Sequence, residues 1–318
     1  MSEIVALPLA ADVREALAQL TSLQDGDRGV VAITACGSRA LPALRALLLE
    51  GAASGIYQPR CRAVEALAAL GAHDVLIEFL NAPRDIADPV NRSGEDAVVN
   101  AAARALIGVA DARIFPLLMR LAQTRLLAGV IEALGSCGRV EALPVLLRAL
   151  SEDHTRKVAE AALLRLGPAA GAALAALATR PLPAAEGESA SSRRTRLSAV
   201  GLLARLGAPC AALWRLSEDA DPEIAAAACR ACLATGTAEK RAVLQRLIAL
   251  IPRLPLIAVI EAEECLAEHF GAVREIAAQW LEPPPPDPSD NAPAACLRRS
   301  LARAARHAGA AAERCRSR

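Results

Sequence analysis

The chain has 318 residues, enough for a large core, and a formal charge of only +1. It therefore has no overall electrostatic pull towards nucleic acid or a membrane surface. Just over half of it is apolar, yet only six residues are aromatic; Ala and Leu supply the bulk, which favours helices packed through small side chains and speaks against a strand-rich fold.

The first eleven residues hold no basic segment followed by an apolar run, so no signal peptide is expected. No stretch of about 18 uncharged apolar residues occurs, so no membrane span is expected. Nine cysteines, scattered within helical stretches, fit reduced thiols in a cytoplasmic protein. Among the 36 basic residues only Lys157 and Lys240 are lysines, a bias that codon usage explains more simply than function does.

Residues 1–25 are expected to cap the fold. Asp12 to Ser22 reads as an amphipathic helix with Val13, Leu17 and Leu20 on one face. A repeat then begins at about residue 26 and runs to 281. It aligns on Gly37, Gly71, Ala110, Gly138, Gly167, Gly207, Gly236 and Gly271. Spacings near 30 residues, with insertions, suit a pair of helices. Four positions before each turn stand Ile33, Leu67, Leu106, Leu134, Leu163, Leu203, Cys232 and Ala267. The −5 position is mostly Ala, and the −1 position is mostly apolar, with Cys36 and Cys137 in place of Leu. Positions −1, −4, −5 and −8 form one helical face, so all are expected in the core. Gly suits a helix C-terminus that turns through a left-handed residue. Pro42, Pro116 and Pro144 fall near the start of the second helix, where a missing N–H costs least.

Asn81 to Ser93 and Arg180 to Ser192 read as surface loops. Residues 282–293 form a Pro-rich linker and 294–318 a basic terminal helix or tail. From Leu297 onward there are seven arginines against Glu313, a net of +6, while the rest of the chain carries −5. The linker is expected to hold this helix apart from the repeats, so that deleting residues 288–318 leaves the melting midpoint nearly unchanged.

The unit Asp221-Pro222-Glu223-Ile224, followed by an Ala-rich helix, a Gly turn and a Leu-Pro-x-Leu second helix, resembles HEAT-like repeats. The nearest variant is the kind named for phycobilisome lyases. The resemblance implies an all-α fold, an α-solenoid of about eight helix pairs. Proteins with such repeats serve as scaffolds, chaperones and a few enzymes, so it leaves activity open.

The chemistry in the chain is sparse. No P-loop, dinucleotide motif, nucleophile elbow or metalloprotease helix appears, which argues against an enzyme. HEAT-repeat hydroxylases bind two irons through repeated His-Glu pairs, and this chain has no His-Glu dipeptide. HEAT-like DNA glycosylases need a basic face with aromatics, and Trp214 and Trp280 are too dispersed for that. One cluster has ligand chemistry: Cys229 and Cys232 on one first helix, Cys265 and His269 on the next. Three thiolates and an imidazole have the composition of a tetrahedral zinc site. The stronger reading is core packing, since Cys232 fills the −4 slot and helix-embedded pairs lack a knuckle turn; neither metal nor cofactor is expected. Arg60, Arg156 and Arg196 share position −11, with Arg193 and Arg194 beside the last. They read first as bonds between repeats, to carbonyls and acids, and second as an anion-binding edge. Arg298, Arg299 and Arg303 of the tail are the remaining contact candidates. A non-catalytic scaffold that binds another protein is the function this supports. A chromophore-lyase-like enzyme or subunit is the alternative, and a nucleic-acid binder using the arginine edge and tail is weaker.

Overall fold

The computed structural model describes residues 10–82, 84, 86–180, 183–184, 187–208, 210–236, 239–278 and 293–316. The fold is all-α. Its one β feature among the described residues is a two-residue ladder pairing Pro183 with Glu188 and Ala184 with Gly187. The chain forms two compact units, Met1–Leu166 and Gly167–Arg318.

In the first unit α1 (Ala11–Thr21) precedes four first helices, α2 (Gly26–Ala35), α4 (Gln58–Ala69), α6 (Pro89–Ala105) and α8 (Ala128–Ser136), and α10 (Arg156–Leu166) follows. Between them run the second helices α3 (Leu41–Leu49), α5 (His73–Asn81), α7 (Ile114–Thr124) and α9 (Leu143–Leu150). Each first helix packs on the next first helix, from α2 to α10, and each second helix on the next second helix, from α3 to α9. The core lies between these two rows. The second unit holds α11 (Gly171–Thr179), α12 (Ala190–Arg205), α13 (Cys210–Leu216), α14 (Pro222–Thr235), α15 (Lys240–Leu250), α16 (Leu256–Glu268), α17 (Phe270–Ile276) and α18 (Pro293–Arg316). There α12 packs on α14, α14 on α16, and α16 on α18.

Burial follows the repeat closely. The −4 residue is buried in seven of the eight repeats, Ala267 alone being half-buried. The −8 residue is buried in all eight: Gly29, Ala63, Ala102, Val130, Ala159, Ala199, Ala228 and Glu263. Small residues there and at −5 let adjacent first helices approach. A Cβ added at Gly135 of α8 would collide with Ala162 of α10. The −1 residues depart from expectation, since all eight are half-buried. Cys36, Leu70, Cys137 and Leu206 are C-caps, at the mouth of the turn where one side faces water. The Cys36 and Cys137 thiols instead donate to the Ala32 and Ala133 carbonyls, at 3.4 and 3.3 Å.

Six of the eight aligned turn residues have positive φ, for example Gly71 at 69°. The third turn is displaced from Ala110 to Gly108, where φ is 83°. Gly271 is not a turn at all but lies in α17; α16 ends at Glu268, and His269 joins the two helices. Both inserted loops are shorter than expected. Asp88 caps α6 by accepting from Asn91 N at 2.8 Å, with Pro89 as the first helical residue, and Ser189 caps α12 by accepting from Ser192 N at 3.1 Å.

The terminal helix corrects the largest expectation. Residues 282–292 of the linker lie outside the described residues, but α18 begins at Pro293 and packs against α16, with Ala295, Leu297, Ser300, Leu301 and Ala304 buried. It is part of the second unit, not a free tail.

The run Arg156–Thr179 is long and apolar enough to cross a membrane by composition alone, with an 18-residue window of mean hydropathy 1.6. It is two helices, broken by a 3₁₀ turn at Gly167–Ala170 that opens on Gly167 with φ 63°. In the first unit, Leu134 at −4 is fully buried. Leu134→Ala is expected to cost about 2–5 kcal/mol in urea unfolding. A loss below about half a kcal/mol, as for an ordinary surface change, would contradict this register.

Candidate functional site

A helix leaves its last four carbonyls without partners, and its C-terminus carries partial negative charge. In this chain arginines meet both needs. On α4, Arg60 donates from Nη2 to the Leu48 carbonyl near the end of α3, at 2.9 Å. Arg84 donates to the Leu49 carbonyl and, at 2.6 Å, to Gly51. Arg148 donates to Ala122 near the end of α7, and Arg156 from Nε to Leu150, the last residue of α9, at 3.2 Å. In the second unit Arg196 donates from Nε to Ala178 of α11 at 2.7 Å, and Arg246 from Nε to Ser217 beyond α13 at 3.2 Å. The arginines shared at −11 are thus fasteners from a first helix to the end of the preceding second helix.

Each fastener also holds a carboxylate. Arg60 pairs with Glu95 of α6 through both terminal nitrogens, with Arg84 Nε 3.9 Å from the same carboxylate. Both Arg60 and Glu95 are buried, and the Arg60 guanidinium lies 5.3 Å from the centre of the Phe79 ring. Arg60 Nε is buried without a hydrogen bond. Arg196, 2% exposed, donates to Glu188 at 2.7 Å and to Asp219. Glu188 ends the short β ladder, so Arg196 ties that insertion to the helices. Arg156 pairs with Asp153 at 2.6 Å. Arg193 Nε stands 2.6 Å from Asp221 Oδ2, out of line for a hydrogen bond. Arg303 of α18 grips Glu263 of α16 with bonds of 2.6–3.0 Å. Arg298 donates to its own helix at Ala294, 3.4 Å away, and Arg194 and Arg299 also have partners. The second reading, an anion-binding edge, is therefore set aside for Arg60 and Arg196, whose guanidinium groups are buried in the fold, while Arg303 of the terminal helix is half-buried and taken up by Glu263.

The acids were not singled out in the sequence. Glu95, Glu188 and Asp219 sit at different repeat positions, so no alignment column reveals them. Glu263 did leave a signal: it occupies −8, where every other repeat has Gly, Ala or Val.

The cysteine cluster does not assemble. Among the described residues no three His, Cys, Asp or Glu side chains come together as metal ligands. Cys229 and Cys232 are buried in α14; Cys265 and His269 are half-buried. Burial pushes the Cys229 thiol up to about 12 and the Cys265 thiol to about 11. Burial, then nearby Lys240, lowers the His269 imidazole. Only the thiolate reacts readily, so at pH 8 native Cys229 should resist alkylation over a time in which the unfolded chain is fully labelled. Mass mapping of the labelled protein checks this, and rapid native labelling of Cys229 would contradict its burial.

Among the described residues of the first unit, an open groove of about 540 Å³ lies beside the end of α7. It is lined by Gln123, Thr124, Arg125, Leu126, Leu127, Arg148, Glu152 and His154. His154 Nε2 lies 2.8 Å from the Leu126 carbonyl. Arg125 pairs with Asp96, whose carboxyl burial raises above the usual range while Arg125 opposes the shift. The groove carries both signs of charge and two half-buried leucines, a lining suited to contact rather than proton transfer. Comparison with family models, with curated proteins and with solved structures gave no match.

Proposed function

We propose that the chain is a non-catalytic α-solenoid of HEAT-like helix pairs that binds another protein along its surface. The observation that carries this reading is the repetition of contacts, first helix on first helix and second on second, through the whole first unit. Stacked pairs of this kind present extended binding faces. Arg60 and Arg196 are turned inward and do not contribute to a cationic surface of the kind a nucleic acid needs. The groove beside α7 mixes apolar, polar and charged groups as protein contact surfaces do.

Affinity capture with quantitative mass spectrometry tests this. Wild-type protein is compared with Gln123→Glu/Glu152→Arg, which changes two exposed side chains and should leave folding intact. A defined set of proteins enriched on the wild type and lost from the variant is expected. Equal capture by both would move the partner away from the groove. Capture of nucleic acid alone, released by salt, would contradict the protein-binding reading.

A further inference from the structure

The second helices of the first unit end along one edge, and the clefts between those ends join. A cleft of about 240 Å³ lies between α3 and α5, and one of about 40 Å³ between α5 and α7. The two share Phe79, Ala82 and Arg84. The narrow cleft in turn shares Thr124, Arg125 and Leu127 with the groove beside α7, which reaches Glu152 beyond α9. One trough therefore passes the ends of α3, α5, α7 and α9, each helix packed on the next. Half-buried Val99, Leu121 and Leu127 make its waist largely apolar. A helix is about 10 Å across with its side chains and does not pass such a waist. An extended chain does, by setting one side chain into it.

Every arginine lining the trough is already engaged. Arg45 pairs with Glu78, through Nε at 3.1 Å and through Nη2. Arg84 and Arg148 donate to carbonyls at helix ends, and Arg125 pairs with Asp96. Two carboxylates differ. Glu50 at one end of the trough and Glu152 at the other are exposed, and neither has an ion pair among the described residues. Packed helices stand about 9 Å apart, so the three steps from α3 to α9 separate these carboxylates by about 27 Å. An extended chain advances about 3.3 Å per residue, which makes that span about eight residues.

We propose, resting on the protein-binding reading above, that the trough takes an extended segment of the partner carrying two basic residues about eight positions apart and an apolar residue midway. The basic side chains meet Glu50 and Glu152, and the apolar one enters the waist. An acidic segment is disfavoured, because the lining arginines are engaged and both ends repel it. A single exposed pair is weak, so selectivity comes from reaching both ends at once.

Fluorescence anisotropy with the purified full chain and labelled Gly-Ser peptides tests this. Two of the peptides carry a central leucine and a pair of arginines, four positions apart in one and eight in the other. A third has glutamates in place of the eight-spaced arginines. The eight-spaced arginine peptide should bind about fivefold more tightly than the four-spaced one, which reaches only one end. Glu50→Gln or Glu152→Gln, each an exposed change, should bring the eight-spaced peptide to the level of the four-spaced one. Equal affinity at both spacings, indifference to both substitutions, tighter binding of the glutamate peptide, or no binding of any peptide would overturn the proposal. The titration uses no cellular partner, so its failure leaves the protein-binding reading to the capture experiment. Proteins captured through the groove beside a failed titration would mean that this reading stands and the basic segment falls.

Discussion

Arg303→Ala should lower the stability of the second unit by about 3 kcal/mol, the low end for breaking a buried pair, because Arg303 keeps partial contact with water. Glu263 is 3% exposed, and Arg303 donates three hydrogen bonds to its carboxylate. Removing the guanidinium leaves a buried carboxylate without its cation, which costs more than the pair contributes. The second change makes the experiment specific. Glu263 occupies the −8 slot, where five of the seven other repeats have a buried Ala. Glu263→Ala/Arg303→Ala should therefore recover most of the loss, and the single Glu263→Ala should be milder than the single Arg303→Ala. Urea unfolding of the four proteins measures the coupling. Additive losses would mean that the two side chains act independently.

Arg60→Met should cost the first unit about 3–5 kcal/mol. Methionine keeps much of the volume, so packing against Phe79 is largely retained and the loss reports charge and hydrogen bonding. Glu95 would keep Arg84, but only at 3.9 Å, and the Leu48 carbonyl would lose its donor. Because the pair is buried, added salt should change this loss little. The exposed pair of Arg39 with Asp12, 2.7 Å apart, provides the contrast: Arg39→Met should cost under about 1 kcal/mol and less still in high salt. A salt-sensitive loss at Arg60 would show that water reaches the pair.

Much of the fold was legible in the chain. The −4 and −5 columns carry the periodicity of a buried helical face, and Gly at the turn reports a left-handed backbone; both are local properties that sequence records directly. The turn at Gly108 was misplaced because Ala110 satisfied the apolar column equally well. Gly271 misled because glycine also occurs within helices. The −1 column was apolar without being core, since a C-cap residue packs on one side only. The site was less legible. The −11 arginines were visible as a column, and bonding to carbonyls and acids was the first reading of them. Their partners were not visible, because Glu95 lies within α6 while Glu188 ends the β ladder and Asp219 lies between α13 and α14, so the three share no repeat position. Nor does sequence tell whether a terminal amphipathic helix folds back. The Pro-rich run and the seven arginines pointed to a helix held apart, whereas Leu297 and Leu301 are buried and Arg303 bonds Glu263 of α16.

Arg60, Arg156 and Arg196 each fasten a first helix to the end of the preceding second helix. Arg196→Lys tests this most directly, because the substitution keeps the charge and removes the fork. Lysine is a single-point donor and cannot reach Ala178, Glu188 and Asp219 in three fixed directions as Arg196 does. The thermal midpoint of the variant should fall by about 4–8 °C, the shift expected for a loss of about 2 kcal/mol in a unit of this size. A midpoint unchanged within about a degree would mean that positive charge alone suffices at this position, and that contradicts an internal fastener.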